Sequence, residues 1–409
     1  MTQVRDGIVR RGGTWSYVIR VTDRDSGRSK PKWVGGFSTE AAAKAARDIA
    51  RVAARRGEYV DRNRVTVAEY LASWLDGHAL TVKPRTLAGY RFLVDSYVIP
   101  RIGTTRLQAV RASTLSGLYR ELLAGGGRGG RPLSTRTVEF THAVLRKALN
   151  DAVHVDQLIP SNPAVRAKRP RSEVRDATPM WSAEELRTFL RVVEGHRLAP
   201  YYRLAAYSGA RRGELLNLRW ADLDLDAGVM RIRGSVGIVA GRRVEGTTKS
   251  GRERRISLDR GTVEVLRAHR LRQDEDRLLA DGSWVPGDHV FRMGIGSPLF
   301  PDTVTQLMAK LLGRHNAAVN AAEVPGPVLP VIRLHDLRHV HATLLLQASV
   351  PVHVVAARLG HADPSITLRV YAHVLDGQAI EVAGVFARAM GEADAAPEAG
   401  SAGPQQAGR

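Results

Sequence analysis

No cysteine occurs in the 409 residues. That excludes a disulfide framework, a thiolate zinc site, an iron–sulfur cluster and a cysteine nucleophile. No run of 18 apolar residues occurs either, so no segment reads as a membrane-spanning helix. The opening residues, MTQVRDGIVRRGG, lack the apolar stretch of a secretory signal. The expected location is the cytoplasm. Lysine is scarce. It stands only at 30, 32, 44, 83, 147, 168, 249 and 310, within a total of 61 Lys and Arg. An isolated lysine in this arginine-rich chain is therefore conspicuous.

The 61 basic residues face 41 acidic ones, for a net charge of +20 at pH 7. Such an excess calls for an acidic partner, and nucleic acid is the first to consider. A membrane surface would require a basic amphipathic helix with bulky apolar anchors, and none is seen. The 44% apolar and 25% charged content is that of a globular chain rather than a disordered one. At about 100–200 residues per domain, the length predicts two to four domains.

Residues 1–60 read as a small sheet followed by a helix. Trp15, Tyr17, Ile19 and Val21 alternate as on one strand face, and Asp25-Ser26-Gly27 marks a turn. Trp33, Val34 and Phe37 suggest a second strand. Ser38 or Thr39 then caps an Ala-rich helix through about Arg56. Residues 64–165 read as all-helical. Thr66 and Glu69 form a capping box ahead of Tyr70, Leu71 and Trp74. A second helix starts at Lys83-Pro84 and ends at Pro100 and Gly103, and two more cover about 112–124 and 134–153. The Gly125–Gly130 run between them lacks the Gly-Lys-Ser/Thr ending of a nucleotide loop. Lys168, Arg169, Arg171 and Arg175 mark a basic linker. A larger domain, 176–390, follows. It reads as helical except at 228–258, where VMRIRG, GRRVEGTT and RRISL suggest short strands. Residues 391–409 have the composition of a disordered tail. The fold class expected is mainly α with small β-sheets, in several domains, the last of mixed α/β type.

Four patches in the last domain carry chemistry. They are Tyr207–Leu215, Thr247–Arg252, Leu334–His339, and Leu359–Pro364 followed by Tyr371. No carboxylate pair is among them, so glycosidase or two-metal nuclease chemistry is poorly served. Arginine, lysine, histidine and tyrosine do suit attack on a phosphodiester. Guanidiniums clamp the non-bridging oxygens and hold the charge that grows in the transition state. Imidazoles donate to those oxygens or move a proton. A tyrosine hydroxyl serves as nucleophile when its proton is drawn off. Lys249 lies in an expected hairpin turn between two short strands. A general acid must release its proton, and an arginine, with a pKa above about 12, does not.

Taken singly, each residue has a plainer explanation. Lys249 is a solvated turn, His361 a structural helix end, Tyr371 a core residue, and Arg211 with Glu214 a helix-surface pair. His335 and His339 stand four apart and imitate a metalloprotease His-Glu-x-x-His, with Asp336 in the place of Glu. That leaves a metal-dependent hydrolase as a reading from another class. The order and spacing of the four patches together outweigh the single-residue explanations.

The set resembles the catalytic domain of tyrosine recombinases, and the whole chain resembles a phage-type integrase. The family's Thr-Gly-x-Arg-x-Gly/Ser-Glu segment is matched by Ser208-Gly209-Ala210-Arg211-Arg212-Gly213-Glu214. Ser208 replaces the usual Thr and Ala210 a larger apolar residue. The family lysine matches Lys249, its His-x-x-Arg matches His335 and Arg338, and its Leu-Gly-His matches Leu359-Gly360-His361. Its nucleophile, ten residues after that histidine, matches Tyr371.

The resemblance implies that Tyr371 forms a 3′-phosphotyrosyl link while Lys249 protonates the departing 5′-oxygen. Arg211, Arg338 and His361 would stabilise the phosphate, His335 would assist proton movement at Tyr371, and Glu214 would brace Arg211. It implies neither metal nor ATP. It also implies an arm-type DNA-binding domain over 1–60, a SAM-like core-binding domain over 64–165, and double-stranded DNA as partner at core and arm-type sites. A homotetramer would form in the synaptic complex, with Ile380 to Met390 docking on a neighbour. Directionality and DNA-bending proteins are accessory partners in such systems. A type IB topoisomerase, which shares the chemistry, is the nearest alternative.

Overall fold

The computed structural model describes residues 6–22, 28–56, 59–170, 180–249, 251–365, 367–368 and 390. Tyr371, the 380–389 stretch and residues 391–409 lie outside the described residues. The chain divides into two compact units, Met1–Val174 and Arg175–Arg409.

The first unit opens with an antiparallel sheet of β1 (Ile8–Arg11), β2 (Thr14–Thr22) and β3 (Ser29–Phe37). Helix α1 (Glu40–Arg55) packs on one face of it. The alternation of β2 puts Tyr17 and Ile19 on the covered side, where they meet Ile8, Ala43 and Ala50. Thr39 caps α1, its hydroxyl accepting from Ala42 N at 3.1 Å. Strand β1 escaped the sequence reading because its arginine-rich end hides the apolar Ile8-Val9 pair.

The rest of this unit is helical: α2 (Val67–His78), α3 (Pro84–Leu93), α4 (Ile99–Ile102), α5 (Ala112–Gly125) and α6 (Thr135–His154). The capping box at α2 is present. Glu69 N donates to Thr66 Oγ1 at 3.2 Å and Thr66 N to Glu69 Oε2 at 2.8 Å. Such a cap stabilises a helix by about 1 kcal/mol. Tyr70, Leu71, Trp74, Leu115, Tyr119, Leu122, Leu145 and Leu149 fill the core. Trp74 Nε1 donates to Asp151 Oδ2 at 2.8 Å, and Tyr70 OH to the Ala148 carbonyl at 2.8 Å.

One expectation fails here. Pro100 does not end the helix begun at Lys83-Pro84, whereas Gly103, the cap after Ile102, does. A π-helical turn over Val94–Val98 joins α3 to α4, and the chain runs helically to Ile102. Pro100 sits in the first turn of α4, where its missing N–H is tolerated.

The second unit is built from α7 (Ala183–Val193), α8 (Ala199–Ser208), α9 (Arg212–Asn217), α10 (Arg260–Leu279), α11 (Pro301–Asn320), α12 (Asp336–Gln347) and α13 (Val352–Leu359). Its buried centre holds Trp181, Phe189, Tyr201, Tyr202 and Phe291. Tyr202 OH donates to the Val304 carbonyl at 2.8 Å and Trp181 Nε1 to the Pro330 carbonyl at 2.9 Å, so their polar ends are satisfied.

Between α9 and α10 lie five strands, not three: β4 (Leu223–Asp224), β5 (Val229–Ile232), β6 (Gly234–Val239), β7 (Arg242–Thr247) and β8 (Arg254–Ser257). One antiparallel sheet has the order β4-β5-β8, and β6 and β7 form a separate pair. The expected hairpin around Lys249 is thus corrected. The hairpin turn is Ala240-Gly241, both at positive φ (48° and 75°), between β6 and β7. Lys249 sits instead on the connection from β7 to β8, strands of different sheets. The glycines and serine of the β6 segment, GSVGIV, concealed it, since they break the apolar alternation that marks a strand.

Candidate active site

The site begins at the end of α8. Ser208 is fully buried; its hydroxyl donates to the Leu204 carbonyl at 2.5 Å and accepts from Ala210 N at 3.3 Å. Serine therefore supplies the hydroxyl that this corner uses. Gly209 follows at φ 62°, the left-handed conformation that ends the helix. A Cβ there would also meet His341 Cδ2 at 2.7 Å and Leu359 Cδ2 at 2.8 Å. The corner aims Arg211 outward at the start of α9, with its side chain 23% exposed.

Glu214 sits one turn further on with its carboxylate wholly buried. It accepts from Arg211 N and from Arg211 Nη1, each at 2.9 Å. Burial opposes its charge, yet the hydrogen bonds and charges of Arg254 and Arg211 prevail and hold its pKa below the ordinary carboxylate value. Glu214 thus bonds Arg211 at both its backbone N–H and its guanidinium.

The second arginine comes from α12. Leu334, Leu337 and Val340 face the core at helical spacing. This leaves Arg338 on the side that meets the ends of α8 and α13, where it is buried. Its Nη1 donates to the Gly209 carbonyl and its Nη2 to the Leu359 carbonyl, both at 2.8 Å. These two bonds fix the plane of the guanidinium. His335 lies immediately before α12. Asp336, the first helical residue, accepts from Arg333 N at 2.8 Å and anchors this turn.

Helix α13 ends at Leu359, with Gly360 left-handed at φ 70°, and delivers His361. His361 Nδ1 and Thr367 Oγ1 share a hydrogen bond of 2.7 Å. Burial, followed by the charges of Arg338 and Arg211, pushes the His361 pKa down to about 4. Burial, His339 and Arg338 push His335 down to about 4 as well, with Arg211 adding to the effect. Both imidazoles are therefore neutral at neutral pH. The two Arg338 bonds join the Arg211 corner, the start of α12 and the His361 corner, so Arg211, Arg338, His335 and His361, from three separate stretches of sequence, surround one electropositive locus.

Lys249 is exposed on its turn, which is closed by Gly251 N donating to the Thr248 carbonyl at 3.1 Å. Tyr371 falls outside the described residues. His335 and His339 stand edge to face with ring centroids 5.4 Å apart. Among the described residues they are not joined by a third residue of metal-ligand type. A cavity of about 730 Å³ lined by Asp222, Arg231, Arg267 and Arg270 shares no residue with the locus.

Two arginines escaped the sequence reading. Arg254 Nη2 donates to Glu214 Oε2 at 2.7 Å and Nη1 to Glu214 Oε1 at 3.1 Å. Arg358 donates to the Tyr207 carbonyl at 3.0 Å, to Ser257 and to His341 Nε2 at 3.0 Å. Arg254 was hidden among Arg252 and Arg255. The one usable signal was Glu214, a carboxylate that needs more than one cation when buried.

Comparison with known proteins gives three matches along the chain. Residues 8–49 match the arm DNA-binding domain, 66–123 the SAM-like N-terminal domain of phage integrases, and 181–378 the phage integrase family. A XerC-like tyrosine recombinase of Caldanaerobacter subterraneus subsp. tengcongensis is 25% identical over 391 residues, covering 90% of this chain and 95% of the relative. The integrase of Mycobacterium phage L5 is 28% identical over 324 residues, 77% of each chain. Among solved structures, the Tn1549 transposon integrase in complex with a circular intermediate DNA superposes with a TM-score of 0.61 at 18% identity, covering 75% of this chain and 94% of that one. A lambda integrase dimer bound to a core site gives 0.52 at 15% identity, covering 90% and 95%. With these matches in sequence and fold, and with the arginine–histidine locus at the matching motifs, the chain belongs to the phage integrase family of tyrosine recombinases.

Proposed function

We propose that this protein is a site-specific DNA integrase that cleaves and rejoins strands at attachment sites, with Tyr371 as nucleophile. The observation that carries the reading is the electropositive locus of Arg211, Arg338, His335 and His361. Two guanidiniums beside two neutral imidazoles suit one phosphodiester. The arginines neutralise the non-bridging oxygens, and His361 donates to one of them. The phenol oxygen of Tyr371 attacks phosphorus while its proton passes to His335, a neutral base. The bond from phosphorus to the 5′-oxygen breaks, and Lys249 supplies the proton that the leaving oxygen takes up. The 3′-phosphotyrosyl ester conserves the energy of the broken bond, so the step calls for neither metal nor ATP. Attack by a 5′-hydroxyl from the partner strand reverses it and exchanges strands.

The Tn1549 and lambda integrase structures contain DNA, and one lambda integrase structure is a tetramer on a Holliday junction. On that likeness, this chain engages double-stranded DNA and acts as a homotetramer at synapsis, in the cytoplasm at the nucleoid. Residues 1–60 read arm-type sites, 64–165 grip the core site, and 176–390 perform the chemistry. The physiological outcome is integration or excision of a phage or mobile element.

The test is a nicked suicide substrate that spans the element junction, incubated with the full chain in excess chelator. A covalent protein–DNA adduct should survive denaturation, and the Tyr371→Phe variant should bind the DNA without forming one. Cleavage abolished by the chelator would instead favour a metal-dependent hydrolase acting through His335 and His339.

A further inference from the structure

We propose that Arg254, at the head of β8, is a positioning residue for strand cleavage: it neutralises Glu214 so that Arg211 keeps its charge for the phosphate. The proposal rests on the recombinase reading above and adds a residue to it.

Four hydrogen bonds converge on the two oxygens of Glu214. Oε1 accepts from Arg211 Nη1 and Arg254 Nη1, and Oε2 from Arg211 N and Arg254 Nη2. The carboxylate is fully buried, and the Arg254 side chain is 10% exposed. Charge arithmetic decides what this does. Arg211 with Glu214 alone is a neutral pair, and a buried carboxylate would compete with DNA phosphate for the same guanidinium. With Arg254 the group carries one net positive charge, and that charge resides on Arg211, the more exposed of the two arginines. The fork of Arg254 also holds the carboxylate plane, so Arg211 is presented in one orientation.

A second contact ties the same side chain to the histidine. Arg254 Nε donates to the Arg358 carbonyl at 3.0 Å. A Cβ on Gly360, the residue before His361, would lie 2.9 Å from Arg254 Cδ and Nη1. The guanidinium therefore passes directly beneath the corner that delivers His361. One residue on the strand following the Lys249 turn thus fixes parts of two other motifs. Arg254 acts through Arg211 and the His361 corner, the two places its bonds lead to.

The experiment compares single-turnover cleavage by the full chain, Arg254→Met and Arg254→Lys on two suicide substrates. One carries the ordinary scissile phosphodiester. The other carries a methylphosphonate, which lacks the anionic oxygen that Arg211 serves. On the phosphodiester, Arg254→Met should slow adduct formation by about 100-fold, the scale of losing one charge-stabilising donor. On the methylphosphonate, the same comparison should shrink to less than about tenfold. Arg254→Lys keeps the charge without the fork and should fall between. Adding Glu214→Gln to Arg254→Met should recover part of the lost rate, because the competing carboxylate is gone. Should Arg254→Met fail to fold, the ratio across the two substrates is read on Arg254→Lys. Equal deficits on both substrates would mark a purely structural residue and overturn the proposal, as would unimpaired cleavage of the phosphodiester. No adduct from the unaltered chain would defeat the recombinase reading itself, a result distinguishable from either.

Discussion

Arg338 and Gly209 are 129 residues apart in the chain, yet the Arg338 Nη1 donates to the Gly209 carbonyl at 2.8 Å. The opposite arm of the same guanidinium holds the Leu359 carbonyl. One arginine therefore ties the corner that presents Arg211 to the helix end that presents His361. Its position is set by packing before any DNA arrives, which is what a preorganised electrostatic site requires.

Arg338→Met should therefore lower stability as well as activity. Two buried carbonyls lose their donors, at a combined cost of about 3 kcal/mol, or roughly 6–12 °C in melting temperature for a unit of this size. Thermal denaturation followed by circular dichroism checks this. A variant that melts with the unaltered chain would show that the two carbonyls find other partners and that Arg338 serves the phosphate alone.

Acid should weaken the second unit. His341 is buried against Arg358, and burial first, then that charge, holds its pKa down to about 4, against about 6.5 in an unfolded chain. The folded state binds fewer protons, so this stability is complete above pH 6.5 and is lost as the pH falls toward 4. By pH 5.5 His341 alone removes about 1 kcal/mol, or about 2–4 °C. His335 and His361 act in the same direction. Melting temperatures from pH 7.5 to 5.5 should decline, less steeply in His341→Gln. A flat profile would contradict the assignment of these imidazoles as neutral.

Lys249→Arg should slow cleavage of ordinary DNA, because arginine holds its proton too tightly to give it to the leaving oxygen. The loss is expected at about 100-fold or more. Replacing the bridging 5′-oxygen with sulfur removes the need for an acid and should restore most of the rate. If the sulfur substrate shows the same deficit, Lys249 acts in another way.

The sequence disclosed the motifs more fully than the frame that carries them. Thr66, the cap at Ser38 or Thr39 and the apolar face of α2 declared themselves, because capping chemistry and helical spacing are local signals. The helix running through Pro100 did not, since a π turn over Val94–Val98 depends on packing beyond the local pattern. Strand β6 was hidden by its glycines, and with it the fact that Lys249 lies outside a hairpin. At the site, Arg211, Glu214, His335, Arg338 and His361 were singled out by motif spacing together with the family resemblance. Arg254 and Arg358 were not, because their roles depend on contacts across 40 and 101–151 residues of chain. In a chain this rich in arginine, composition gives no hint of which ones are buried.

The most direct measurement is the chemical identity of the protein–DNA link. The adduct from a suicide substrate is digested with protease and nuclease, and the nucleotide-bearing peptide is sequenced by mass spectrometry. The account predicts a phosphonucleotide on the hydroxyl of Tyr371, joined to the 3′ end of the cut strand. A link to any other residue, or a strand cut that leaves no link at all, would contradict it.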